Sequence, residues 1–143
     1  MIDTRAVQDE IISEFSILAE DKESTIYYLM EIGNNLPPFP ESEKKEENII
    51  KGCQSKVWLI TEYIDNKVVF LADSNTDITK GLISLLIRVL SGRTPQEILQ
   101  TDLYFIDKIG MSGIIGSQRS NGLASMIKQM KLYALAYQSK LNV

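Results

Sequence analysis

The sequence predicts a two-layer α+β domain, an antiparallel sheet flanked by helices, spanning residues 1–143. Three observations carry this. Apolar residues recur at helical spacing near both ends of the chain, which is the pattern of amphipathic helices. Two runs rich in β-branched and aromatic residues lie between them, joined by turn chemistry. Helical periodicity resumes directly after the second run, so helices, a hairpin and more helices must share one core.

In chain order, Val7, Ile11, Phe15 and Leu18 are spaced for one face of a helix over about residues 4–20. A second helix follows Asp21 and runs to about Asn34, using Ile26, Leu29, Met30 and Gly33. Leu36-Pro37-Pro38-Phe39-Pro40 breaks it, because proline lacks the amide donor and restricts the residue before it. The mixed-sign run 41–48 reads as a surface turn or one loose helical turn. Residues 55–64 read as a strand, Asp65-Asn66-Lys67 as a turn and 68–72 as the returning strand. A short strand through Ile49 and Ile50 would leave Cys53 in a bend between strands. Asp77 is expected to cap a helix over about 78–90 that Ser91-Gly92 ends. Thr94-Pro95-Gln96-Glu97 has the form of a capping box with proline at the first helical position. It opens a short helix to about Thr101, and another lies near 103–109. Gly110–Ser117 reads as a plain glycine-rich connector; no nucleotide-binding fingerprint accompanies it. Ser120-Asn121-Gly122 opens a last helix to about Gln138, with Leu123, Met126, Ile127, Met130, Ala134 and Tyr137 at core spacing.

Composition removes whole classes of chemistry. At 143 residues and 44% hydrophobic content the chain suits one core. Its apolar stretches are too short for a membrane span, and no secretory signal is visible, so a cytoplasmic location is the default expectation. Histidine is absent, which excludes His-dependent triads, a Cys–His dyad and His-containing metal sites. One cysteine makes no internal disulfide, no dithiol pair and no four-cysteine cluster site. The net charge of −4, from 15 basic and 19 acidic residues without a basic stripe, argues against nucleic acid as a partner.

What remains is Cys53, in Ile50-Lys51-Gly52-Cys53-Gln54-Ser55-Lys56-Val57-Trp58. Any redox or sulfur-transfer role must use this thiol with a partner molecule. Gly52 permits a tight or left-handed backbone just before the sulfur. Lys51 and Lys56 would favour the thiolate if their ammonium groups lay close. On thiol chemistry alone three readings stand: a sulfur acceptor, a peroxide-reactive redox sensor, or a binding module in which Cys53 is only packed.

The run Gly52-Cys53-Gln54-Ser55-Lys56-Val57-Trp58 resembles the sulfur-acceptor signature of the SufE family, which includes the CsdE proteins. Leu29–Pro37, Asp73-Ser74 with Lys80-Gly81-Leu82, Ser91–Pro95 and Arg119–Leu123 extend the resemblance over roughly residues 25–130 in the same order. The resemblance implies a fold similar to the cluster scaffold IscU and a partner cysteine desulfurase of the SufS or CsdA type. That partner, not this chain, would hold pyridoxal phosphate (PLP). It implies that Cys53 takes persulfide sulfur, stimulates the desulfurase and relays sulfur to a downstream iron–sulfur assembly scaffold. A carrier of this kind turns over without itself breaking the carbon–sulfur bond. The resemblance further implies Arg119 near the site as an anion stabiliser, and places Asp73 and Ser74 in the family's helix-entry segment; these two, with Lys51, Gly52, Gln54 and Ser55, are expected to support the loop or the partner interface. Three positions depart from the family pattern: Lys51 stands where proline is common, Asn75 replaces an acidic residue, and Ile114–Gln118 lacks a frequent proline.

Overall fold

The computed structural model describes residues 3–18 and 20–141. In order the elements are α1 (Thr4–Ser16), α2 (Lys22–Gly33), β1 (Val57–Ile64), β2 (Lys67–Ser74), α3 (Asp77–Leu90), α4 (Pro95–Gln100), α5 (Phe105–Ile109), α6 (Met111–Ile115) and α7 (Ser117–Leu141). The predicted α+β class is what is observed. Two short 3₁₀ turns, Glu41–Glu43 and Glu46–Asn48, fill the charged segment between α2 and β1.

The sheet is a single antiparallel hairpin in the register Val57↔Ser74 to Ile64↔Lys67. Its turn is made by Asp65 and Asn66, both at positive φ (52° and 66°). Two such residues match the right-handed twist of the strands they join, and Asp and Asn tolerate this region better than most side chains. Alternation does the rest: Val57 and Leu59 of β1 and Val68, Phe70, Ala72 and Ser74 of β2 all face inward. Helix α3 covers that face with Leu82, Ile83, Leu85, Leu86, Val89 and Leu90, forming the second layer. The expected short strand before Cys53 is a single bridge, Ile49↔Trp58. Trp58 is half-buried beneath the Lys44 ammonium, which lies 5.3 Å from its ring centroid.

Several boundaries differ from expectation. Helix α1 ends at Ser16 rather than near residue 20, because Asp21 is needed at the start of α2. There its carboxylate accepts the Ser24 amide, and its own amide donates to the Leu18 carbonyl. Thr76, not Asp77, occupies the N-cap position of α3; Asp77 is its first helical residue, where a carboxylate still complements the helix dipole. The supposed connector 110–117 contains α6. Glycines 110 and 116 sit at its two ends with φ of 76° and 87°, while Met111 and Ile115, one turn apart, bury an apolar edge. Helix α7 consequently begins at Ser117. Arg119 lies in its first turn, and Ser120-Asn121-Gly122 is inside the helix instead of opening it.

Helices α2 and α3 cross at two glycines. A Cβ on Gly81 would collide with the backbone carbonyl of Leu29, and one on Gly33 would lie 2.6 Å from the Gly81 nitrogen. This contact brings Met30 and the first turn of α3 to the same side of the molecule. At one end of the bundle, Arg88 of α3 pairs with Glu14 and Glu10 of α1, and Tyr28 of α2 donates to Glu14. The hydrogen bond to Glu14 pushes the Tyr28 phenol up to about 12. Helix propensity alone predicts that Gly81→Ala stabilises the protein by about 1 kcal/mol. Overpacking against rigid backbone costs about 1–3 kcal/mol and should win. Urea unfolding should show a lower midpoint for Gly81→Ala; an equal or higher midpoint would contradict the close crossing.

Candidate functional site

The Cys53 loop leaves the Ile50–Val57 contact, in which the Ile50 amide donates to the Val57 carbonyl at 2.8 Å, and closes back on it at Val57. Gly52 turns the chain at φ 96°. A side chain there would be strained by the backbone angle and would strike the Ser125 hydroxyl of α7, so only glycine seats the loop against that helix. The far end is tied to the β2–α3 junction. The Lys56 amide donates to the Asn75 side-chain oxygen at 3.0 Å, and the Asn75 amide donates back to the Lys56 carbonyl at 3.2 Å. The Ser74 hydroxyl adds a 2.7 Å bond to the same carbonyl. Asn75, a departure from the acidic residue usual in the resemblance, therefore makes a neutral clamp.

Cys53 lines a cavity of about 540 Å³ between the loop, α2, α3, the α6–α7 junction and α7. Leu82, Ile115 and Met126 are buried and give it an apolar floor, with half-buried Met30 beside them. Gln54, Ser55, Thr76 and Arg119 contribute polar groups to the same cavity. The first turns of two long helices, α3 and α7, both border it; such ends favour negative charge, and at α3 the Asp77 carboxylate in the same lining already answers that preference.

The thiol is half-buried and donates to the Gly122 carbonyl of α7 at 3.5 Å. Burial pushes its pKa up, and no neighbouring cation offsets that shift. At neutral pH the resting sulfur is a protonated thiol, not a thiolate. A methyl on Gly122 would lie 3.5 Å from Sγ, in ordinary contact, so glycine here leaves space beside the sulfur without being sterically obligatory.

The residues singled out from sequence separate into two groups. Cys53, Gln54, Ser55 and Arg119 share the cavity. Arg119 is exposed, and its guanidinium donates to the Ile115 carbonyl at 3.3 Å, one turn back. Lys51 is exposed and outside the cavity lining; Gly52 and Ser74 shape the loop. Asp73 sits outside the lining too, with its carboxylate 3.1 Å from the Lys44 ammonium and 3.6 Å from that of Lys80. Partial burial works against its charge, but the Ser74 amide, Lys44 and Lys80 outweigh burial and hold the carboxyl below its usual range. In this state Asp73 ties the charged segment and α3 to the sheet.

Sequence reasoning missed Thr76, Thr79, Gly122 and Ser125. An isolated glycine inside a helical pattern usually has a packing reason, which was a usable signal for Gly122. The hydroxyl-rich stretch Ser74-Asn75-Thr76-Asp77-Ile78-Thr79 at a helix start was another.

Among the described residues, no helix is long and apolar enough to cross a membrane. The fold resembles the solution structure of a hypothetical protein from Thermus thermophilus, with TM-score 0.76 over 97% of this chain and 99% of that one. At 19% identity this likeness speaks to the fold alone. An uncharacterized SufE-like protein of Rhizobium meliloti is 38% identical over 128 residues, covering 86% of this chain and 91% of the relative. SufE-like protein 1, chloroplastic/mitochondrial, of Arabidopsis thaliana is 37% identical over 132 residues, covering 92% of this chain and 35% of that longer protein. Residues 9–134 match the SufE family, described as Fe-S metabolism associated domain. With that match running through the Cys53 loop and the cavity around it, the chain belongs to the SufE family.

Proposed function

We propose that this protein accepts persulfide sulfur on Cys53 from a PLP-dependent cysteine desulfurase, stimulates that enzyme, and passes the sulfur on to iron–sulfur cluster assembly. The observation that carries this reading is the placement of Cys53, the chain's one thiol, at a cavity that also contains Arg119, within a SufE domain. Membership in a family associated with Fe–S metabolism supports a sulfur-acceptor role, and the cavity supplies room beside the sulfur.

The step is an exchange at sulfur. Cys53, as a thiolate, attacks the outer sulfur of the partner's persulfide. A new S–S bond forms at Cys53, the S–S bond on the partner breaks, and the partner cysteine leaves as a thiolate. The proton lost from Cys53 balances the one the leaving thiolate takes up, so no external oxidant or reductant is required. The resting thiol is the wrong protonation state for attack, because burial holds it neutral. Docking must therefore rearrange the loop or bring a cation to the sulfur. Arg119 is the exposed cation on the cavity wall and is assigned that role here. PLP would carry out carbon–sulfur cleavage in the partner, and this chain's part is to receive and hold the sulfur.

Intact mass spectrometry after incubation with a cysteine desulfurase and cysteine should show a reductant-labile gain of one sulfur, absent in Cys53→Ser. Arg119→Ala should take up sulfur about tenfold more slowly, the scale of losing one charge-assisted hydrogen bond. Undiminished stimulation of the desulfurase by Cys53→Ser, without any sulfur gain on the wild type, would instead establish a binding module. For the protein alone, iodoacetamide should alkylate Cys53 more slowly at neutral pH than it does an unstructured cysteine peptide. The rate should rise with pH through a midpoint above the peptide's. A faster reaction at pH 7 than the peptide shows would refute the neutral, sheltered thiol.

A further inference from the structure

Three hydroxyls close a ring at the edge of the cavity. Ser55 Oγ lies 2.9 Å from Thr76 Oγ1, the Thr76 hydroxyl donates to Thr79 Oγ1 at 2.8 Å, and the Thr79 hydroxyl donates to Ser55 Oγ at 3.4 Å. Each oxygen carries one proton, so three donors serve three acceptors and the ring is complete if Ser55 donates to Thr76. Ser55 is two residues from Cys53 on the loop side of the contact; Thr76 and Thr79 belong to the start of α3. Thr76 is the N-cap of α3, yet its side chain makes no capping hydrogen bond. A threonine at that position ordinarily accepts an amide of the first turn, so here its hydroxyl is committed to another task.

We infer that Thr76 is a positioning residue for Cys53: its hydroxyl latches the cysteine loop closed against α3. The components suit a latch that must release. The bonds are neutral, so no charge has to be desolvated or screened when they break. Thr76 is exposed and Ser55 half-buried, so water can replace both partners as they part, while Thr79 stays buried in the helix. Removing the Thr76 hydroxyl breaks the two shorter sides of the ring at once. The Asn75–Lys56 clamp and the sheet register remain, which confines the effect to the loop. The inference rests on reading Cys53 as the acceptor, but its test needs no partner and is therefore separate from the test of that reading.

The experiment is iodoacetamide alkylation of Cys53 across a pH series in wild type, Thr76→Val and Thr76→Ser, with thermal unfolding of each. Thr76→Val should raise the rate at neutral pH roughly two- to tenfold, the factor carried by one net hydrogen bond, with the midpoint moving down toward the peptide's and Tm only a few degrees lower. Thr76→Ser, which keeps the hydroxyl, should restore the wild-type rate. An unchanged rate in Thr76→Val overturns the latch, and so does a failure of Thr76→Ser to restore it. A rate increase accompanied by a Tm fall of about ten degrees or more, or one with the midpoint moving up, also overturns it. If Thr76→Val does not fold, Ser55→Ala opens the ring from the other side and must give the same rise.

Discussion

The backbone at Gly52 is the constraint on which the site depends. With φ at 96° the chain turns where an L side chain is strained, and the turn presses the loop against Ser125 of α7. From there the geometry follows. The next residue is Cys53, whose thiol meets the Gly122 carbonyl, and the loop then runs to the Asn75 clamp and into β1. The cavity exists because this loop is held between two helix starts. Those helices are placed in turn by the hairpin beneath α3 and by the glycine crossing of α2 and α3.

The same packing creates a tension that the proposed partner would resolve. A half-buried, neutral thiol is partly protected from oxidants and stray thiols, since oxidation follows thiolate character and exposure. It is also a poor nucleophile for the same reasons. The two demands are reconciled if the reactive state belongs to the complex. A partner that binds the open loop more tightly than the closed one shifts the population toward it by that difference in affinity. The tethers on the loop are single neutral hydrogen bonds, each contributing net about 0.5–1.5 kcal/mol, which is small beside the free energy of a protein interface. Shelter and release are thus compatible in magnitude.

Much of this was legible in the sequence because it is local or periodic. The hairpin turn at Asp65-Asn66, the capping box at Thr94 and the inward alternation of both strands follow from short-range chemistry. Cys53 stood out because the composition left one thiol and no histidine. The failures have physical causes as well. Glycines 110, 113 and 116 read as breakers, yet the spacing of Met111 and Ile115 was enough for one buried helical turn. Asp73 and Ser74 are adjacent in sequence but lie on opposite faces of β2, so Ser74 supports the loop while Asp73 faces Lys44 and Lys80. The hydroxyl ring joins residues more than twenty apart, and no periodicity announces such a contact.

The acceptor role of Cys53 is tested most directly by a single-turnover transfer. A desulfurase loaded with radiolabelled persulfide sulfur is freed of excess cysteine, mixed with this protein, quenched without reductant and mapped by peptide. If Cys53 is the acceptor, the label leaves the desulfurase and arrives, up to one equivalent, on the peptide containing Cys53. Label that stays on the desulfurase within a formed complex, or that leaves it without reaching Cys53, would contradict that role.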